Sequence, residues 1–213
     1  MALTVGVAGS GTVSTAAQIL DRVVASIGHA AITASDVEQE YRFERFLDAQ
    51  WPAPSPSSAD LAGARERLTY QILLTREENP GPADKTGSEA AAAERLAALH
   101  KGFVHPEDFQ RALKDLGMTE TEALARIAQQ ELMLRLIDQR LRPEASPSEQ
   151  EVADYYHSTF LPEFHKNGDA KTPPLSEVEG QIREVLIQKR INELLDQWIE
   201  ELKPTTNVRF HSP

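Results

Sequence analysis

The chain has 213 residues, 40% of them hydrophobic and 26% charged, the proportions of a soluble globular protein of one or two domains able to bury a real core. Its net charge of −11 and pI near 5.0, with no Lys/Arg cluster to offset them, argue against a surface that tracks phosphates, so nucleic acid is not an expected partner. Cysteine is absent, which excludes disulfides, thiol catalysis and cysteine-based zinc sites and fits cytosol and periplasm alike.

The first stretch, MALTVGVAGSGTVSTAAQ, has competing readings. Val5, Val7, Gly9 and Gly11 imitate the strand and first glycines of a dinucleotide fingerprint, but Ser14 stands where the third glycine belongs and no second parallel strand follows. As an export signal it is apolar and small-residued, with Thr15-Ala16-Ala17 resembling a small-x-small cleavage pattern, although a basic start is missing. Residues 1–18 are therefore expected to be a signal-peptide remnant or a disordered tail, and no stretch of the chain reads as a transmembrane span.

The β-branched run from Asp21 to Thr33 carries a Gly-His turn and predicts a hairpin, Val23 to Ile27 and Ala30 to Thr33. Ser35 with Glu38 predicts the capping box of a first helix through Tyr41, Phe43, Phe46 and Leu47, ending before a PAPSPSS linker. A second helix spans about Ala59 to Glu77. After the breaker NPGPADKTG, Thr86 and Glu89 box an alanine-rich helix to about Leu99, and Pro106 stands at the first position of a short helix closed by Gly117. Thr119 and Glu122 open a long helix carrying Leu124, Ile127, Leu132, Leu134, Leu136, Ile137 and Leu141, and SPSE from Ser146 opens another through Val152, Tyr155 and Tyr156.

Following the polar segment PEFHKNGDAKTPP, Ser176 and Glu179 predict the start of a terminal helix and Pro204 its stop. Val178, Ile182, Val185 and Leu186 point one way, whereas Ile191, Leu194, Leu195, Trp198 and Leu202 lie nearly opposite when projected at about 100° per residue. A helix that changes its apolar face midway must touch two sets of partners. Val208 to Phe210 alternates like a strand and needs a sheet, which the N-terminal hairpin supplies. The expected fold is mainly α, with a small antiparallel sheet closed between the N-terminal hairpin and the C-terminal strand.

Chemistry is sparse. None of His29, His100, His105, His157, His165 and His211 belongs to an H-E-x-x-H or Glu-x-x-His pattern, and Asp154 with His157 reads as a solvated helical pair rather than two metal ligands. No nucleophile elbow or P-loop occurs. The residues themselves describe a non-enzymatic helical protein without cofactor or metal.

The order of the segments says more. ILDRVVASIGHAAITASDVEQEYRFERFL resembles the opening of the SurA-like periplasmic chaperones, a valine-rich hairpin followed by Ile-Thr-x-Ser-Asp-Val at the first helix. FVHPEDFQRALKDLGMTETEALARIAQQELMLRLIDQRLRPEASPSEQEVADYY is similar to the same family in its Gly-Met-Thr-x-x-Glu box, its Arg-Leu-Arg-Pro helix end and its Ser-x-x-Glu-Val-x-x-Tyr-Tyr helix. PLSEVEGQIREVLIQKRINELLDQWIEELKPTTNVRF resembles the family's closing helix and strand. The resemblance covers most of the chain beyond residue 18 and is weakest over 48–105.

It implies a SurA-like N-terminal chaperone domain over residues 19–160, completed by residues 175–213, in which the last helix returns to the N-terminal helices and the last strand to the hairpin. Where fuller members carry a parvulin prolyl isomerase domain, this chain has only Leu161 to Pro174, and the parvulin histidines and Gly-Gly-Asp-Leu segment are missing. The expectation is a non-catalytic, exported periplasmic holdase for unfolded or outer-membrane-bound polypeptides. Its expected peptide contacts are Phe43, Phe46, Leu47, Trp51 and Tyr70, with ordinary core as the competing role of the helix-face residues. An adaptor that binds one folded partner is the alternative, and an isomerase would be so by family inheritance alone. The terminal helix, tethered by residues 161–174, fits a monomer or a domain-swapped dimer.

Overall fold

In the computed structural model, residues 21–77, 80–166 and 172–211 are described; the readings of residues 1–18, dinucleotide fingerprint and export signal alike, fall outside them. Strand β1 (Val23–Ile27) and strand β2 (Ala30–Thr33) form the predicted hairpin, and β3 (Val208–Phe210) pairs antiparallel with the other edge of β1, giving the order β2-β1-β3. The period-two pattern sends Ala25, Ile27 and Ile32 into the core. Gly28 makes the turn at φ +57°, and a Cβ there would meet the Arg76 guanidinium at 2.7 Å, the same group that donates to the Ile27 carbonyl at 3.0 Å.

Helix α1 (Ala34–Leu47) begins earlier than its expected box: Thr33 and Asp36 cap each other's backbone, at 3.2 and 2.8 Å, and Glu38 pairs instead with Arg42. Helix α2 (Ser58–Glu77) follows the PAPSPSS segment, which the Tyr41 hydroxyl ties down by donating to the Pro54 carbonyl at 3.2 Å. Helix α3 (Pro82–Gly102) starts a turn before the predicted Thr86 box, because Pro82 is already suited to a first turn and Asp84 accepts from the Gly81 amide at 3.0 Å. Helices α4 (Pro106–Asp115) and α5 (Glu120–Leu141) begin at Pro106 and at the Thr119/Glu122 box as expected.

Helix α6 (Glu149–Tyr155), boxed by Ser148 and Glu151, widens into a π-helical turn over Tyr156–Phe160 and continues as α7 (Leu161–Lys166). The first six residues of the expected 161–174 linker are thus helical. The wide turn brings Tyr156, Phe160 and Phe164 into a stacked row at 5.7 and 5.8 Å, which gives a nominally polar segment a reason to stay helical.

Helix α8 (Leu175–Thr206) runs past Pro204, contrary to the expected stop. A proline in the last turn removes one amide donor without room to break what precedes it; the helix ends where Asn207 turns left-handed at φ +57° and leads into β3. Its start is also displaced, with Pro174 at the cap and Glu179 bonded to Arg183 rather than boxing Ser176. The change of face is real. Val178 and Ile182 pack on Val152 and Tyr156, Ile191 packs on Leu141 and Ala145, and Trp198, Ile199 and Leu202 enter a core with the sheet and α2. Val185, expected beside Val178, is 48% exposed, and Ile199, unremarked in the pattern, is fully buried.

Two larger cores share α1 and α5. One gathers Phe43, Phe46, Phe103, Phe109 and Ile127 among α1, α3, α4 and α5; the other gathers Ile27, Ile32, Tyr41, Leu73, Leu74 and Trp198 between the sheet, α2 and α8.

Exposed carboxylates govern the acid response. The Ser148 amide and hydroxyl and the Arg190 guanidinium hold Glu151 down to about 2, and the Arg142 fork holds Glu184 down to about 2. A lowered carboxylate adds stability above its unfolded pKa, near 4.5, and loses it as pH falls toward the folded value. Burial raises Glu44, an effect of opposite sign that acidification relieves, but it is a single group. The melting temperature is therefore expected to hold level down to about pH 5 and to fall between pH 4.5 and 2, as calorimetry across that range can check.

A groove between α2 and α5

The two cores leave a gap where α2 and α5 face each other. It holds a cavity of about 710 Å³. From α2 come Leu68, Tyr70, Gln71 and Leu74, from α5 Gln129, Gln130, Met133, Leu134 and Ile137, and Leu195 of α8 closes one end. Its lining mixes these apolar side chains with the charged Glu44, Arg67, Arg95 and Arg126 and with glutamine amides that can donate to and accept from a backbone of any sequence. Met133 adds an unbranched, polarizable side chain able to conform to different neighbours. Leu134 stands 57% exposed at the rim, an apolar group that the described residues leave uncovered.

The end of the groove nearest α1 is fixed by charge. Glu40 is fully buried and accepts a short hydrogen bond from Arg126, while Arg67 lies 3.4 Å from Glu44 and 3.9 Å from Glu40. Gln71 approaches Glu40 at 3.5 Å, and the Arg126 guanidinium lies 4.2 Å over the Phe43 ring. One carboxylate thus ties α1, α2 and α5 together at the seam between the cores. Burial, with the Glu40 charge adding to it, raises the Glu44 carboxyl above the usual range against the pull of Arg67. Replacing Glu40 with alanine leaves Arg126 without its acceptor and Arg67 with one of its two acidic partners gone. The expected loss, about 2–4 kcal/mol by chemical denaturation, exceeds that of Glu40→Gln, which keeps the shape and part of the hydrogen bonding.

The expected contact residues separate. Phe43 and Phe46 are fully buried, Phe46 meeting Phe103 at 5.8 Å and Phe109 at 5.5 Å, so they build the wall behind the groove and not its surface. Leu47 and Trp51 are partly buried against the same aromatic core, at the far end of α1. Tyr70 alone lines the groove; its hydroxyl donates to Glu66 at 2.8 Å, and burial raises its pKa.

The α5 contribution was missed in the sequence. Its signal is the run Leu132, Met133, Leu134, Leu136 and Ile137, too wide for one buried stripe, so some of it had to face an opening. No cluster of three His, Asp or Glu side chains suited to a metal occurs among the described residues, and Asp154 accepts from Gln150 at 2.8 Å. No helix among the described residues is long and apolar enough to cross a membrane. The chain matches no protein-family model, and no curated protein matches it.

Proposed function

We propose that the protein is a non-catalytic holdase that keeps unfolded polypeptides, including outer-membrane proteins, from aggregating by taking extended apolar segments into the groove between α2 and α5. The observation that carries this reading is the groove itself: its volume of about 710 Å³, its apolar side chains and its glutamine amides suit segments of varied sequence. The resemblance of the chain's segments, in order, to SurA-like periplasmic chaperones supports it and supports a periplasmic location. The short interval between Leu161 and Pro174 supports a chaperone module without an isomerase domain. A net charge of −11 would keep a loaded complex soluble.

An array of overlapping peptides from a denatured outer-membrane protein tests the reading. Many apolar-aromatic segments are expected to bind weakly, and Leu134→Glu, which sets a charge on the rim without touching either core, is expected to weaken them about tenfold, or ~1.4 kcal/mol. Binding confined to one folded partner, with no array signal, would assign the protein to the adaptor class instead.

A further inference from the structure

A second cavity, about 270 Å³, lies between the start of β1 and the first turns of α1 and α2, and shares no lining residue with the groove. Val24, Val37 and Leu61 supply its apolar lining, and Arg22, Arg65 and His211 its charged or polar one; no carboxylate lines it. In a chain of net charge −11 that is a local inversion.

The two arginines also lack acidic partners among the described residues. Arg42, Arg126, Arg142, Arg183 and Arg190 all form ion pairs with carboxylates. Arg22 and Arg65 form none among the described residues; the Arg65 guanidinium lies 4.8 Å over the Phe210 ring instead. The nearest acids in sequence are engaged elsewhere: Asp36 caps Thr33, Asp60 caps Ser57, Asp21 accepts from the Ser35 amide at 3.3 Å, and Glu66 accepts from the Tyr70 hydroxyl at 2.8 Å. Those caps also occupy helix amides, so the guanidiniums are what an anion would meet. His211 is held at the rim by Ser26, Oγ to Nε2 at 2.5 Å, and by its amide to the Val24 carbonyl at 3.0 Å.

An anion suited to this cavity must also bring an apolar group for Val24, Val37 and Leu61. The volume lies just under the roughly 300–1,000 Å³ of small-molecule sites, which suits a single terminal residue more than a drug-sized ligand. The cavity adjoins β3, the edge strand of the sheet, whose Phe210 is 49% exposed and whose outer backbone edge has no strand beside it among the described residues. An extended chain can lie along such an edge.

We propose that this cavity takes the C-terminal residue of an extended polypeptide, its carboxylate held by Arg22 and Arg65, its apolar side chain set on Val24, Val37 and Leu61, and its preceding residues running along β3. The site stands on its own lining residues and does not depend on the function assigned to the groove.

Fluorescence anisotropy of the full chain with an N-terminally labelled hexapeptide ending in leucine tests it, against the same peptide as its C-terminal amide. The free acid is expected to bind at least tenfold more tightly than the amide. Arg22→Gln and Arg65→Gln are each expected to remove most of that difference, and Leu134→Glu to leave it unchanged. Arg22 is exposed, so its variant keeps the fold, which an unchanged circular dichroism melt verifies. Equal binding of acid and amide, no saturable binding of the acid, or an acid–amide difference that survives Arg22→Gln overturns the proposal. So does N-acetyl-leucine binding as tightly as the hexapeptide, which gives the cavity to free carboxylic acids.

Discussion

Phe46→Ala is expected to destabilise the protein by about 3–5 kcal/mol, the largest effect of any single substitution considered, and to weaken client binding only as far as it unfolds the protein. The side chain is fully buried and touches the rings of Phe43, Phe103 and Phe109 at 5.5 to 6.0 Å, so its removal leaves a cavity bounded by three helices that cannot all collapse onto it. A residue that bound clients directly would behave in the opposite way, with binding lost at unchanged stability. Urea denaturation together with peptide binding at a temperature where the variant is fully folded distinguishes the two. Binding lost in the folded variant would return Phe46 to the list of contacts.

Ending the chain at Lys203 is expected to lower stability by about 3 kcal/mol, from the lost ladder between β1 and β3 and the lost burial of Val208. The truncation removes the partners of Ala25, Ser26 and Ile27, namely Phe210, Arg209 and Val208, and with them the Asn207 cap of α8. Sheet order makes the consequence local. β1 becomes an edge strand, so its amides facing β3 should exchange with solvent much faster, while those of α3 and α4, built into the other core, should change little. Hydrogen exchange read by mass spectrometry checks both halves; uniform loss of protection would mean that the sheet holds the whole chain together, and unchanged protection in β1 that the third strand adds nothing.

The elements most legible in the sequence were those with local signals that agree with tertiary demand. The hairpin bounds were readable because β-branched residues flank a Gly-His turn, and the pairing of β3 was readable because an orphan strand and a two-stranded hairpin solve each other's problem. The two faces of α8 followed from periodicity, since helical geometry alone decides which side chains can share a partner. Helix starts were read less well, because Ser, Thr and Asp recur every few residues here. Thr33 and Asp36 outcompeted Ser35 and Glu38, with the Ala34 amide drawn to the Arg22 carbonyl at 2.8 Å, a contact from another element. The α7 turn was illegible because its support, the Tyr156, Phe160 and Phe164 row, exists only after a π-turn changes the register.

The candidate site was legible only at Tyr70. Aromatic residues drew attention to α1, but the amphipathic pattern that made Phe43 and Phe46 conspicuous is the pattern that buries them. The groove is made by the distance at which α2 and α5 are held, and Glu40 with Arg126 and Arg67 sets that distance from three separate segments. A charge at position 40 reads in sequence as one more solvated residue of an acidic helix, and nothing short of the fold shows it to be fully buried.

In the proposed function, the groove between α2 and α5 is the surface that holds unfolded chains. Light scattering of a urea-denatured outer-membrane β-barrel protein, diluted into buffer with an equimolar amount of this protein, tests it most directly. The wild-type chain is expected to suppress aggregation, and Leu134→Glu, at an exposed position outside both cores, to lose most of the suppression while melting within a few degrees of wild type. Suppression retained in full by that folded variant would contradict the account.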